Sequence, residues 1–203
     1  MRIGLLGGTF DPVHYGHLLL AEACREQGRL HEVWFIPAAV PPHKQQQTLS
    51  STAARLEMLK LAIGGHDSFR VSEIELARGG VSYTVDTLTA IHAERPEAEL
   101  FLLIGADSLV DLPTWREPRR ICELATPMTV GRPGSPPPNY HVLQGIVDPA
   151  RLEAFTGSHV EMPLVGISSR DLRRRVAEWR SIRYQVPRAV ERYIETAGLY
   201  RGG

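Results

Sequence analysis

The run Arg2-Ile3-Gly4-Leu5-Leu6-Gly7-Gly8-Thr9-Phe10-Asp11-Pro12-Val13-His14-Tyr15-Gly16-His17 decides how the rest of the chain is read. Ile3, Leu5 and Leu6 make a short apolar strand over Arg2–Leu6, which Gly7-Gly8 cuts off. A compact turn follows, and an amphipathic run from Tyr15 to Gln27 predicts a helix, with Gly28 as its stop. His14 and His17 stand at the start of that helix, three residues apart and so on one side of its first turn. Free N–H groups at a helix start attract anions, glycines let a phosphate approach the backbone, and imidazoles add donors. Strand, glycine turn and histidine-bearing helix together predict a nucleotide phosphate site.

Working outward, Val33–Ile36 and Leu100–Ile104 are continuous apolar runs, the mark of strands buried on both faces. Phe69–Leu76 alternates and predicts a strand with one wet face; Met128–Gly131 and Val160–Val165 predict two more. Helices are expected from a Ser50–Thr52 cap to Ile63, from a Thr84 cap to Glu94, over Arg119–Ala125, and over Arg188–Thr196 with Pro187 at N1. Ser168 and Asp171 have the spacing of a capping box and open a further helix. The polar segment Pro37–Thr48 is long for a connector, and Arg132–Asn139 is a proline-rich loop. Alternating strands and helices predict an α/β fold, a doubly wound parallel sheet. The helical part from Ile167 is expected at the sheet's edge near the first helix.

With 203 residues and 43% hydrophobic content, the chain fits one domain over 1–203, with a helical C-terminal subregion at 167–203. The 23 basic and 23 acidic residues cancel, so net charge gives no reason to expect nucleic acid or a membrane as partner. Cys24 and Cys122 lie far apart in helical segments, with no zinc-type spacing, and read as buried thiols in a reducing compartment. No leader segment and no apolar run of spanning length is seen, so a soluble, cytoplasmic protein is expected. No carboxylate or His/Cys cluster suggests a metal held by the protein.

The glycine turn is neither the GxGxxG dinucleotide fingerprint nor the GxxxxGK[ST] P-loop, and no GxSxG elbow is present. What remains is Gly7-Gly8-Thr9-Phe10 with His14-Tyr15-Gly16-His17, which resembles the HxGH signature of the nucleotidylyltransferase superfamily. Further segments narrow the likeness: Pro41-Pro42-His43-Lys44, Ser82–Thr87, Gly105–Ser108, Trp115, Ile167–Arg173 and the ending Gly198-Leu199-Tyr200. Together they look like the bacterial nicotinate-nucleotide adenylyltransferase branch. Arg170 departs from that pattern, which usually has a hydroxyl or small residue there.

The resemblance implies adenylyl transfer from ATP to nicotinate mononucleotide, with pyrophosphate released in NAD biosynthesis. It implies His17 as the main transition-state donor and His14 as a phosphate ligand. ATP would also meet Gly7, Gly8, Thr9, Phe10, Gly105, Asp107, Ile167, Ser168 and Arg173. The pyridine nucleotide would meet Lys44 through its phosphate, Tyr83, Thr84 and Asp86 around its carboxylate, and Trp115 through ring stacking. Mg²⁺ is expected with ATP, held by phosphates and water. Three readings compete: another HxGH transferase (nicotinamide mononucleotide, phosphopantetheine or cytidylyl substrate), a non-catalytic nucleotide sensor, and a nucleic-acid patch over Arg170–Arg183. Neutral net charge and the lack of interleaved aromatics weigh against the last.

Overall fold

The strand over Arg2–Gly8 (β1) runs two residues further than its apolar core, carrying Gly7 and Gly8 into the sheet. The computed structural model describes residues 1–42, 49–131, 137–163 and 165–201. Strands Glu32–Pro37 (β2), Phe69–Val71 (β3), Glu99–Gly105 (β4), Ala125–Gly131 (β5) and His159–Glu161 (β6) join β1 in one sheet. The order is β3-β2-β1-β4-β5-β6 with every pairing parallel, which makes the fold α/β and doubly wound. The strand order reverses between β1 and β4, the switch point where ligands enter such sheets at the strands' carboxyl ends.

Strands β1, β2 and β4 divide their apolar side chains between two layers. Val33, Phe35, Phe101 and Leu103 enter one buried cluster; Ile3, Leu5, Ile36, Leu100, Leu102 and Ile104 enter the other. Helices Tyr15–Gln27 (α1) and Thr52–Ile63 (α2) cover the first face with Ala21, Cys24, Met58 and Leu59. Ile74–Arg78 (α3) follows β3, and Thr84–Glu94 (α4), Ala106–Asp111 (α5), Pro118–Leu124 (α6) and Pro149–Thr156 (α7) follow in chain order. Of these, α4, α5, α6 and α7 bury Leu88, Leu109, Ile121 and Phe155 on the second face. Cys24 and Cys122 are free and buried as expected, and burial pushes their thiols up to about 12 and about 11.

The last two helices, Ser169–Ala177 (α8) and Arg188–Thr196 (α9), lie near α1 as the sequence suggested, but not at the sheet's edge. Leu172, Val190 and Ile194 are buried in the same cluster as α1 and α2, so this part lies over one face. Burying each of these side chains is worth about 2 kcal/mol, enough to hold the C-terminal part to the body.

Other boundaries also moved. The expected strand Phe69–Leu76 ends at Val71 and turns into α3, because Glu75 is drawn inward to accept from the Thr87 hydroxyl at 2.7 Å. Thr84 is the first helical residue, not the cap; Tyr83 takes the cap position and makes no side-chain capping bond. Pro187 likewise caps α9 from just outside it. The Ser168 box is half formed: its hydroxyl accepts from the Asp171 N–H at 3.1 Å, while the Asp171 carboxylate pairs with Arg174. Helices α5 and α7 were not foreseen.

Candidate active site

Helices α1, α5 and α8 each follow a parallel strand, and α4 opens beside the segment leaving β2, so all four begin at the same end of the sheet. The α1 start is the most tightly built of them. His14 caps the helix in an extended conformation, and its backbone N–H donates to His17 Nδ1 at 3.2 Å. An Nδ1 that accepts carries no proton, so a neutral His17 holds its hydrogen on Nε2. The two rings stack with centroids 3.7 Å apart and planes 24° from parallel. His14 is buried, and burial pushes its imidazole down to about 4, so it is neutral at pH 7. Its Nδ1 has no hydrogen-bond partner among the described residues.

The glycine inside the histidine pair has a steric reason. A Cβ on Gly16 would stand 3.0 Å from two atoms of the His14 ring, which folds back over this turn. Gly8 is held by Phe10: a Cβ there would meet that ring at 2.9 Å. Phe10 adopts φ +51° and its fully buried ring sits edge-on to His17, centroids 5.1 Å apart. Its side chain therefore supports His17, leaving only its backbone to a ligand. Gly7 and Gly105, at the ends of β1 and β4, have open space where a Cβ would stand. They flank the switch point. Asp107 is exposed in the first turn of α5.

The α8 start faces the histidines. A cavity of about 500 Å³ is lined by His14, His17, Ile167, Ser168, Ser169, Arg170 and Arg173. Arg173 donates to the Asp11 carbonyl at 2.6 Å, and the Ser169 hydroxyl donates to the Pro12 carbonyl at 2.9 Å. The Ser169 bond turns that hydroxyl toward the loop before His14. Arg170, the departure from the family pattern, is exposed on the cavity's rim.

A second group gathers at α4. Arg116 lies over the Tyr83 ring, 4.9 Å from its centroid, and pairs with Asp86 at 3.4 Å. Thr84 opens the helix, and Trp115 is half-buried against the apolar layer below. The segment leaving β2 reaches this place: Ser82 N–H donates to the Val40 carbonyl, and Ala39 N–H to the Ser82 hydroxyl, both at 2.9 Å. Lys44 lies outside the described residues.

Sequence reasoning missed the polar group beneath the histidine loop. Arg55 of α2 is almost wholly buried, 2% exposed, and its Nη1 donates to the carbonyls of Thr9 at 3.1 Å and Ala38 at 2.8 Å. Burial lowers its pKa from the ordinary arginine value, and nearby Asp11 opposes that shift. Asp11 Oδ1 accepts from the Tyr200 hydroxyl at 2.6 Å and Oδ2 from the Ser50 N–H at 3.1 Å. One signal was readable: Arg55 falls in register with Met58 and Leu59 on the apolar stripe of α2. With Asp11 so engaged, no group of three or more metal-binding side chains exists among the described residues. Among the described residues, no helix is long and apolar enough to cross a membrane.

A parallel sheet whose switch point meets two polar helix starts defines a nucleotide-handling α/β protein, and the comparisons agree. The family model described as cytidylyltransferase-like matches residues 5–175. A Thermomicrobium roseum protein named as a probable nicotinate-nucleotide adenylyltransferase is 48% identical over 200 residues, covering 98% of this chain and 92% of its own. A Thermus thermophilus protein of the same name is 47% identical over 201 residues, covering 99% of this chain and 100% of its own. Among solved structures, Plasmodium falciparum nicotinic acid mononucleotide adenylyltransferase complexed with NaAD superposes with a TM-score of 0.76 at 18% identity. That match covers 98% of this chain and 97% of the other, and it shows the shared fold. The chain belongs to the cytidylyltransferase-like family and, within it, to the nicotinate-nucleotide adenylyltransferases, enzymes of the nucleotidyltransferase class.

Proposed function

We propose that this protein transfers the adenylyl group of ATP to nicotinate mononucleotide, giving nicotinate adenine dinucleotide and pyrophosphate. The observation that carries the reading is the cavity between the α1 and α8 starts, where His17, with its Nε2–H fixed as the donor, faces Ser168 and Arg173.

A phosphate oxygen of the mononucleotide forms the new bond to the α-phosphorus as the bond to the β-phosphate oxygen breaks. The nucleophile is already an anion, so the protein need not remove a proton; it must align the partners and stabilise charge on the α-phosphoryl oxygens. His17 donates through Nε2–H, and neutral His14 packs behind it and borders the phosphates. Arg173 and the first N–H groups of α8 take up charge on the leaving phosphates. The open positions above Gly7 and Gly105 admit the nucleoside, with Asp107 near its ribose. At the other end of the cleft, the α4 start at Thr84, with Tyr83, Asp86 and Trp115, receives the nicotinate ring and its carboxylate, and Lys44 counters the mononucleotide phosphate. Mg²⁺ arrives with ATP, bound to its phosphates and water, and so belongs to the substrate.

The test is pyrophosphate release from ATP with nicotinate mononucleotide, nicotinamide mononucleotide or phosphopantetheine supplied singly. The highest kcat/KM is expected with the nicotinate acceptor. A higher value with either of the others overturns the assignment.

A further inference from the structure

Gly198-Leu199-Tyr200, just after α9, is a motif with no role in the chemistry above. Tyr200 lies 189 residues from Asp11, yet its hydroxyl donates to Asp11 Oδ1 at 2.6 Å. Asp11 sits between Phe10, held at φ +51°, and Pro12, in the loop that delivers His14 and His17. A short loop with a bulky residue at positive φ keeps its shape only when its surroundings over-determine it.

The surroundings do so from outside the loop. Arg55 holds the Thr9 carbonyl, Arg173 the Asp11 carbonyl and Ser169 the Pro12 carbonyl. The Gln185 carbonyl accepts from the Tyr15 N–H at 3.1 Å, at the first residue of α1. The backbone of the loop is thus tied by α2, α8 and the segment before α9. Among the described residues, the Asp11 side chain accepts from Ser50 N–H and from the Tyr200 hydroxyl. Tyr200 also touches Met58 Sδ at 3.8 Å, which fixes the ring beside α2. Burial and the neighbouring carboxylate both push the phenol's pKa up, so its hydroxyl stays a donor.

We infer that Tyr200 is a positioning residue: its hydroxyl, acting through the Asp11 carboxylate, holds the loop so that the His14 N–H stays on His17 Nδ1 and His17 Nε2–H stays aimed at the transferring phosphoryl group. The catalytic half of this statement rests on the proposed adenylyl transfer; the brace itself does not.

The experiment uses the full chain and two substitutions, Tyr200→Phe and Asp11→Asn, alone and combined. Tyr200→Phe removes one oxygen and keeps the ring against Met58. Three quantities are read: kcat and KM for both substrates, the thermal midpoint, and the tautomer of His17 from ¹⁵N NMR of the ligand-free protein. The expected result for Tyr200→Phe is a kcat lowered about tenfold with each KM within about twofold, the scale of losing one buried hydrogen bond that sets catalytic geometry. The His17 nitrogens should move from a single Nε2–H pattern toward a mixture. The double variant should lose no more kcat than the worse single variant. Unchanged His17 signals, or additive losses in the double variant, overturn the inference. A fall in midpoint with no change at His17 also overturns it, since it would make Tyr200 merely structural. Should Tyr200→Phe fail to fold, Asp11→Asn alone must still disturb the His17 signal. If the wild type proves inactive with the nicotinate acceptor, the proposed function fails, while the NMR readout still decides the brace.

Discussion

The α1 and α4 helix starts are built differently. At the histidine end, the Thr9, Asp11 and Pro12 carbonyls accept from side chains brought from α2 and α8, and the Asp11 carboxylate is buried between two donors. At the Trp115 end, exposed Arg116 meets Asp86 at 3.4 Å and Glu117 at 3.6 Å, contacts worth under about 1 kcal/mol in water. The first end is fixed before substrate arrives and suits charge stabilisation, which gains most from donors that need no reorganisation. The second can re-form around a ligand and suits selection of the acceptor.

The largest expected effect comes from His17→Ala. It removes the fixed Nε2–H donor and should lower kcat by about 10³, with ATP affinity by equilibrium titration nearly unchanged. Retained turnover would erase the distinction between the two ends. Next is Arg55→Ala, which leaves the Thr9 and Ala38 carbonyls without their buried donor. It should cost about 3 kcal/mol in denaturant unfolding and lower kcat as the loop loosens.

His14 sharpens the comparison through pH. Its folded value near 4 lies below the ordinary 6.5, so between these values the unfolded chain holds a proton that the folded one does not. The stability it contributes is complete above about pH 6.5 and is lost as pH falls toward 4, by at most about 3 kcal/mol. Unfolding measured from pH 7 to 4.5 should show wild type losing ground against His14→Asn; parallel curves would place a charged or solvated imidazole there. The smallest effect is expected at the looser end. Arg116→Ala should raise the acceptor KM about threefold and leave kcat alone, as for an exposed contact.

The fold was legible where strands are buried on both faces. Leu100–Ile104 and Val33–Ile36 announce themselves because both sides of each run must be apolar. Phe69–Leu76 misled because its alternation fits a strand, while the buried Glu75–Thr87 bond that bends it into α3 joins residues 12 apart. Helix α7 did carry a readable start, Asp148 capping ahead of Pro149, whereas α5 begins directly at the end of β4 with no loop to mark it. In the candidate site, His14, His17, Ser168 and Arg173 were readable because helix starts leave local signatures. The bonds that join Asp11, Arg55 and Tyr200 at the histidine loop were not, although the register of Arg55 with Met58 and Leu59 marked it as inward-facing. Those bonds span 46 and 189 residues, which no local pattern reports.

The most direct measurement is a competition: limiting ATP with equal nicotinate and nicotinamide mononucleotides, and separation of the two dinucleotide products. The account predicts that nicotinate adenine dinucleotide dominates by at least about tenfold, the discrimination that about 1.4 kcal/mol at the α4 start provides. Equal amounts, or an excess of the amide dinucleotide, would contradict it.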